Sequence, residues 1–317
     1  MSEQVIIGID TSCYTTSLAM IDAGGGLLLD RRIILRVKPR EKGLRQSDAV
    51  FQHLQNLPSL AELPLANRSY RAVAASTRPR PVDGSYLPVF RAGASFGEAL
   101  SKLLGIPFLA TSHQEGHIRA GLADGIRLER FLAWHLSGGT TELLLVEAAE
   151  PGFKIKRIGG TSDLQVGQFV DRIGVTLGTP FPAGPGLEKM ALLSEDPGVL
   201  PVVVKDLELS FSGPEAAAAR LAASGSIGRN DLARQVFNCI TQGLLKVTRK
   251  AVAEIGAIPV LLVGGVASNE IIRAGLLQSG LADGIEFHFG PKQLSGDNAA
   301  GVGWIAHDFL VKGTESE

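Results

Sequence analysis

The sequence predicts an α/β protein of two lobes. A βββαβα unit occurs twice along the chain, once in each lobe. Short apolar runs that end in Gly, Ser or Thr alternate with helix-length segments, as in α/β proteins. At 317 residues the chain can bury two cores of ordinary size. Segments 9–17 and 136–142 share one order: a strand, a small polar loop with threonines and a returning strand. A duplication produces such similarity, and chance likeness between two hairpins is the alternative.

The elements follow from the apolar runs and from the turn residues between them. In the first half we predict strands at 5–10, 17–22, 27–35, 71–76 and 107–110, with helices at 95–104 and 113–123. In the second half we predict strands at 131–137, 141–147, 154–159 and 260–263, with helices at 163–177, 186–193 and 231–255. A last helix is expected to start near Asp297. These elements divide the chain into an N-terminal lobe, 1–125, and a C-terminal lobe, 126–317.

The charge is nearly balanced overall but unevenly distributed. A net charge of −1 argues against a general polyanion binder, yet residues 31–91 carry twelve Lys or Arg against four acids. Such a stretch is typical either of a solvated face or of a surface for an anionic partner such as RNA, and both stay open. Two cysteines cannot form a disulfide framework, and the apolar runs are too short to span a bilayer. We therefore expect a cytoplasmic protein without membrane contact.

Three loops have the composition of phosphate-binding turns. Small residues let backbone N–H groups approach an anion closely, and hydroxyls add further donors. The first is the hairpin loop 11–17, and the second is the turn that contains Gly138 and Gly139. The third, which contains Gly264, Gly265 and Asn269, precedes a helix whose N-terminus would favour phosphate. Their order is that of the actin-like ATPase class, which binds a nucleotide between two lobes.

A metal site is indicated by two histidines on one helix. His113 and His117 lie at i and i+4, one turn apart on the same face, a spacing that suits Zn²⁺ or Fe²⁺. Asp297 is the best third ligand, although the histidines could instead only pack or cap. A zinc peptidase would need glutamate directly after the first histidine. That position is Gln114, which argues against a peptidase.

The motifs together resemble the threonylcarbamoyl-adenosine tRNA transferases, a family once called glycoproteases or M22 peptidases. The resemblance runs across nearly the whole chain and rests on eight segments in order: 8–13, 112–117, 137–139, 167–172, 181–185, 209–213, 264–269 and 297–300. It implies the actin-like ATPase (ASKHA) fold, with two duplicated RNase H-like lobes and a nucleotide and metal cleft between them. It also implies one divalent metal ion, Fe²⁺ or Zn²⁺, on His113, His117 and Asp297. Contacts to ATP or an acyl-adenylate are implied for Asp10, Ser137, Gly138, Gly139, Asp171, Gly184, Gly264, Gly265 and Asn269.

The activity that this resemblance implies is an acyl transfer to RNA. The family passes a threonylcarbamoyl group from threonylcarbamoyl-adenylate to N6 of the adenosine next to the anticodon. Its implied partners are tRNA and the other subunits of a tRNA-modification complex. The metal would polarise the mixed anhydride, and Asp171 would accept a hydrogen bond from ribose rather than act as an acid or base. No catalytic acid or base is assigned.

The chain departs from the family pattern where substrates would bind. Tyr14 and Thr15 replace two expected acids, and Thr140 replaces a histidine. A lysine expected after Phe-Ser-Gly is absent, and segment 78–84 replaces a glycine-rich one. The sequence therefore indicates a divergent paralogue. Three functions stay open: threonylcarbamoyl transfer to tRNA, carbamoyl transfer to a small molecule, and a non-catalytic nucleotide-binding partner.

Overall fold

A computed structural model gives the fold, and it describes residues 3–37, 44–62, 68–123, 125–149, 152–195 and 197–315. The basic residues Lys38, Arg40 and Lys42, with Glu41, lie outside this description. The strands are β1 Glu3–Thr11, β2 Thr15–Asp22, β3 Leu27–Ile34, β4 Arg68–Arg78, β5 Phe108–Ser112, β6 Arg130–Leu136, β7 Thr141–Ala148, β8 Phe153–Thr161, β9 Val203–Lys205, β10 Glu208–Ser210, β11 Val260–Val263 and β12 Phe287–Phe289. The α-helices are α1 Gln46–Leu60, α2 Val89–Leu104, α3 His113–Gly121, α4 Val166–Thr176, α5 Gly184–Ala191, α6 Ser212–Ser224, α7 Arg229–Ile255, α8 Glu270–Asp283, α9 Lys292–Ser295 and α10 Ala300–Glu315.

The chain forms two compact units. The first comprises Met1–Arg127, Ala148–Lys154 and Pro291–Glu317, and the second comprises Leu128–Glu147 and Ile155–Gly290. This division differs from the predicted lobes 1–125 and 126–317 at Ala148–Lys154 and, over a longer stretch, at the C-terminus. The physical reason is close packing: a Cβ on Gly8 of β1 would lie 2.4 Å from the Ala299 carbonyl oxygen. Only a glycine lets the start of α10 approach the strand so closely.

The first unit is a five-stranded sheet with the order β3-β2-β1-β4-β5. Strands β1, β2 and β3 are antiparallel, whereas β4 and β5 run parallel to β1. Apolar side chains of β1, such as Ile7 and Ile9, are fully buried. Their alternate partners on the other face, such as Ile6, pack with α10 residues including Val302. The C-terminal ends of β1, β4 and β5 therefore meet at one edge of this sheet.

The second unit contains a seven-stranded sheet with the order β12-β11-β6-β7-β8-β10-β9. Its first five strands repeat the topology of the other sheet, because β6, β7 and β8 are followed by β11 and β12, which run parallel to β6. The core includes Trp134, whose indole N–H donates to Thr248 Oγ1 on α7 at 2.9 Å. This repeated strand order confirms the predicted duplication.

The predicted elements are found, with ends shifted by a few residues, and several others were not predicted. The strand at 260–263 and the start of α3 agree with the prediction, whereas the last helix starts at Ala300 rather than near Asp297. Helices α1, α6 and α9 and the short strands β9, β10 and β12 have no counterpart among the elements predicted from the sequence, whereas α8 is the helix that was expected after Asn269. Within the described residues, every helix is too short or too polar to cross a bilayer.

One carboxylate fastens the loop after β8 to the start of α6. Asp163 accepts hydrogen bonds from Ser210 Oγ at 2.6 Å and from the backbone N–H groups of Leu164, Phe211 and Ser212 at 2.5, 2.9 and 3.3 Å. Burial alone would raise the pKa of this carboxyl, but the hydrogen bonds lower it well below its usual range. The ionised form is thus the one that the fold stabilises.

Replacing Asp163 with Ala is therefore expected to lower the free energy of unfolding at pH 7 by about 1 kcal/mol, a modest value because the group is solvent-exposed. Since the folded pKa lies below the unfolded one, this contribution is present above about pH 4 and is lost as the pH falls further. Urea unfolding of the wild type and of the Asp163→Ala variant at pH 7 and pH 3 measures this contribution. If the two free energies of unfolding differ as much at pH 3 as at pH 7, the ionised carboxylate is not the stabilising form.

Candidate metal centre and nucleotide-binding loops

The helix that bears both histidines begins directly at the end of a strand. Strand β5 ends at Ser112, and His113 is the first residue of α3. Ser112 is the N-cap, and its Oγ accepts from the Glu115 N–H at 3.2 Å. This cap fixes the first turn of α3. His113 and His117 therefore project from one helix face at the edge of the first unit's sheet.

The three predicted ligands converge. His117 Nε2 lies 3.1 Å from His113 Nε2 and 3.3 Å from Asp297 Oδ1, and His113 Nε2 lies 3.6 Å from that same oxygen. In a tetrahedral site with metal–ligand bonds of about 2.0–2.1 Å, neighbouring ligand atoms are about 3.3 Å apart. The donor set and its spacing thus fit one divalent cation. Among the described residues this is the group of side chains that could hold a metal ion.

Two side chains of this centre, His113 and Asp297, have a hydrogen-bonding partner behind them. Asp10, fully buried at the end of β1, contacts His113 Nδ1 through Oδ1 at 2.9 Å, so His113 Nε2 faces the other ligands. Ser12 Oγ donates to Asp297 Oδ2 at 2.5 Å. Ser76 Oγ donates to Asp10 Oδ1. Such partners orient metal ligands and raise their basicity.

The pKa values reflect a site that attracts positive charge. Burial lowers the pKa of His113, but the charge and hydrogen bond of Asp10, with the charge of Asp297, raise it to about 9. Burial lowers the pKa of His117, and the neighbouring His113 lowers it further. Burial would raise the pKa of Asp297, but the hydrogen bond with His117 and the charges of both histidines bring it below its usual range. A cation among these groups is electrostatically favoured.

The glutamate between the two histidines is engaged in capping. Glu115 Oε2 accepts hydrogen bonds from the Ser112 N–H at 2.9 Å, from Ser112 Oγ at 2.6 Å and from Thr111 Oγ1 at 3.2 Å. Together with the Ser112 cap this is a capping box. A carboxylate held in this way cannot also activate water at the metal, which agrees with the argument from Gln114 against a peptidase.

The sequence analysis missed a buried histidine that supports the loop after β1. His53 on α1 contacts the Ser12 carbonyl through Nε2 at 2.7 Å and Thr16 Oγ1 through Nδ1 at 2.8 Å. Because a carbonyl only accepts, Nε2 carries the proton and Nδ1 accepts from Thr16. Burial lowers the pKa of His53, consistent with this neutral form. His53 thereby fixes the backbone of Ser12, the partner of Asp297.

In the second unit, the turn after β6 is open on one side and closely packed on the other. Cβ atoms added to Gly138 or Gly139 would meet nothing within 4 Å. On the packed side, a Cβ on Gly167 of α4 would lie 2.6 Å from Gly138 Cα. The Val166 N–H donates to Thr141 Oγ1 at 2.8 Å, so α4 begins against this hairpin. The exposed side of the turn leaves room for a bound anion.

Three other residues that were predicted to bind the nucleotide, Asp171, Gly184 and Asn269, lie at or next to the starts of α5 and α8. Asp171 on α4 accepts from the Ala183 N–H at 2.7 Å, directly before Gly184 begins α5. Burial raises the pKa of Asp171, opposed by this hydrogen bond. Glu188 of α5 accepts from the Glu270 N–H at 2.5 Å, at the start of α8. Asn269 caps that helix through Oδ1, which accepts from the Ile272 N–H at 3.0 Å.

The two glycines after β11, Gly264 and Gly265, have different surroundings. A Cβ on Gly264, whose φ is +93°, would lie 2.3 Å from the Leu136 carbonyl oxygen, so this position serves the packing of β11 on β6. Gly265 has nothing within 4 Å of such an atom. The turns 137–139 and 264–265 therefore follow neighbouring parallel strands. Asp10 lies elsewhere: the structure brings it to His113, in the first unit.

Comparison with known proteins places the chain in a family. The model of the family described as tRNA N6-adenosine threonylcarbamoyltransferase (TsaD) matches residues 38–304. This chain belongs to that family. A family member from Thermus thermophilus is 31% identical over 315 residues, covering 95% of this chain and 91% of its own. One from Methanopyrus kandleri is 28% identical over 311 residues, covering 95% and 86%.

Solved structures with low sequence identity share the fold of this TsaD-family chain. Full-length HypF in its phosphate- and nucleotide-bound form has a TM-score of 0.63 at 13% identity, covering 98% of this chain and 46% of HypF. A ROK family glucokinase from Streptomyces griseus has a TM-score of 0.55 at 10% identity, covering 95% and 98%. The chain therefore has the predicted actin-like ATPase fold.

Proposed function

We propose that this TsaD-family chain transfers a threonylcarbamoyl group from threonylcarbamoyl-adenylate to N6 of the adenosine next to the anticodon in tRNA. The observation that carries the proposal is the convergence of His113, His117 and Asp297 at spacings that suit a metal ion. In the reaction, a bond forms between N6 and the carbamoyl carbon, the bond between that carbon and the phosphate oxygen breaks, and AMP leaves together with one proton from N6.

The metal centre would serve the electrophile. A divalent ion, Fe²⁺ or Zn²⁺, would supply Lewis acidity to an oxygen of the mixed anhydride. The chain's own residues prepare the site: His113, His117 and Asp297 hold the ion, while Asp10 and Ser12 fix the orientation of two of these ligands. Because these supports are buried, the ligands need little reorganisation when substrate binds.

The nucleotide part of the donor would bind in the second unit. Backbone N–H groups of the Ser137-Gly138-Gly139 turn would donate to phosphate oxygens, with Gly265 as a second open turn. Asp171 would accept a hydrogen bond from a ribose hydroxyl beside Gly184, and Asn269 would support the adenosine from the start of α8. Asp10, by contrast, is better assigned to the metal centre than to the nucleotide.

A tRNA acceptor is supported by the basic stretch 31–91. Several of its arginines are already neutralised, such as Arg32 by Asp30 and Arg68 by Glu3. Others, such as Arg36 and Arg45, are solvent-exposed. Partner subunits of a tRNA-modification complex and a cytoplasmic location are parts of the same proposal.

A second candidate, carbamoyl transfer to a small molecule or a non-catalytic role, is favoured by one observation. Where the family has two acids after Thr-Ser-Cys, Tyr14 is half-buried and Thr15 is buried, and the Thr15 carbonyl accepts from the Ser12 N–H at 3.1 Å. Neither side chain supplies a carboxylate. The catalytic group therefore stays unassigned.

The test is transfer from radiolabelled threonylcarbamoyl-adenylate by the purified, metal-loaded chain, with and without its partner subunits. The label is expected to enter tRNA that carries the target adenosine, and a chelator should abolish transfer. Binding of tRNA should weaken steeply with salt, because neutralised phosphates release counterions. Label that enters only small molecules would favour the second candidate, and no transfer with partners present would contradict a catalytic role.

A further inference from the structure

One arginine of the first unit, Arg78, has a half-buried side chain whose Nε has no hydrogen-bond partner among the described residues. Arg78 is the last residue of β4, and its Nε is inaccessible to solvent. No described residue accepts a hydrogen bond from this Nε. Other arginines of the first unit have hydrogen-bond acceptors. Arg31 donates to the Leu60 and Glu62 carbonyls, Arg71 to Gln4, and Arg119 to Asp308.

Leaving this donor unpaired is unfavourable. A buried N–H that loses its water without gaining an acceptor destabilises the fold, and more so when the group is charged. A ligand that supplies the missing acceptor recovers this free energy on binding. Unsatisfied arginines of this kind are therefore candidates for binding anions.

The position of Arg78 is fixed beside the metal-bearing helix. Arg78 pairs with Ser112, the N-cap of α3, and the register of β4 against β5 shifts between Ser76 and Arg78. Such irregularities re-aim side chains at strand ends. The Pro79 carbonyl accepts from the Gln114 N–H, in the first turn of α3, at 3.0 Å. The backbone of Arg78 thus lies one residue from a hydrogen bond to the helix that presents His113 and His117.

The charges of this region favour an anionic ligand. A divalent ion together with the carboxylates of Asp297 and Asp10 would be neutral, so a nearby guanidinium makes the region positive. The departures of the chain act in the same direction, because acids are missing at Tyr14 and Thr15 and segment 78–84 is not glycine-rich.

We propose that Arg78 is a substrate-binding residue whose guanidinium binds a pair of anionic oxygens of the substrate beside the metal centre. This inference rests on the proposed function and adds a contact specific to this chain. A planar guanidinium matches two oxygens of a phosphate or a carboxylate equally well. The acyl-adenylate donor offers both, on its phosphate and on its threonine.

The test measures binding to the metal-loaded protein by calorimetry, after unbound metal has been removed by dialysis. The probes are inorganic phosphate and N-carbamoyl-threonine, and the variants are Arg78→Gln, Arg78→Lys and the matched control Arg71→Gln on the same strand. We expect Arg78→Gln to weaken one probe at least about tenfold and Arg78→Lys to weaken it less. Arg71→Gln should bind both probes like the wild type.

Each outcome decides the matter. Loss of binding confined to inorganic phosphate assigns the contact to the phosphate of the donor, and loss confined to N-carbamoyl-threonine assigns it to the carboxylate. If Arg78→Gln binds both probes as the wild type does, or if the wild type binds neither, the proposal is wrong. Equal thermal midpoints would exclude misfolding as the cause of a loss. This test measures binding and not transfer, so the proposed function and the role of Arg78 can fail separately. If the tRNA reaction alone fails, probe binding will still depend on Arg78 although no acyl group is transferred.

Discussion

Replacing His113, His117 or Asp297 with Ala is expected to reduce the metal content of the purified protein from about one equivalent to background. Each variant keeps only two of the three ligands. Loss of a group that orients a ligand lowers metal affinity about 10–100-fold, and loss of the ligand itself should lower the metal affinity further. Elemental analysis after dialysis measures the content. Asp10→Asn and Ser12→Ala should give intermediate affinities, because they remove only the groups that orient His113 and Asp297.

The matched control is His307→Ala. This histidine also belongs to the first unit, but it contacts the Ala23 carbonyl and Asp308 rather than the metal centre. It should retain the full metal content. A His113→Ala protein with the same metal content as His307→Ala would contradict the assignment of the centre. A variant that loses metal should still unfold cooperatively, since the buried residues of β1 and β4 are unchanged.

The pairing of His113 with His117 could be predicted from the sequence because helical spacing puts i and i+4 on one face, whatever the fold around them. Their supports could not be predicted in this way. Ser12 and Asp297 are separated by 285 positions along the chain, and His53 reaches Ser12 from a helix with weak sequence signals. That helix, α1, lacks a side-chain N-cap and contains Pro58 in its interior.

The fold was predictable for a related reason. Strand runs such as 260–263 are recognisable from their apolar residues, and the repeated openings revealed the duplication. Membership of α10 in the first unit was not predictable, because it depends on a backbone contact between Gly8 and Ala299. Asp10 illustrates the same limit: its contact with His113 becomes visible only in the tertiary structure, because the two residues are 103 positions apart along the chain.

A closely packed glycine and an open glycine of the second unit should differ in how much stability they lose on substitution with alanine. For Gly264→Ala we expect a loss of about 3 kcal/mol in the free energy of unfolding, because the new Cβ would lie 2.3 Å from a carbonyl oxygen at a φ of +93°. For Gly138→Ala we expect a change within about 1 kcal/mol, since nothing lies within 4 Å. Chemical denaturation measures both values.

Nucleotide affinity should show the reverse order wherever the protein stays folded. If the 137–139 turn holds a phosphate through its backbone N–H groups, a methyl on Gly138 would stand in the anion's path, and ATP binding should weaken at least about tenfold. Gly24→Ala is the matched control, because its closest neighbour lies at an ordinary 3.4 Å and it belongs to the other unit. Calorimetry at a temperature where all three variants are folded gives the comparison. Unchanged ATP affinity in Gly138→Ala would mean that the open side of this turn does not face the nucleotide, and the phosphate site would have to lie at another loop such as the one at Gly265.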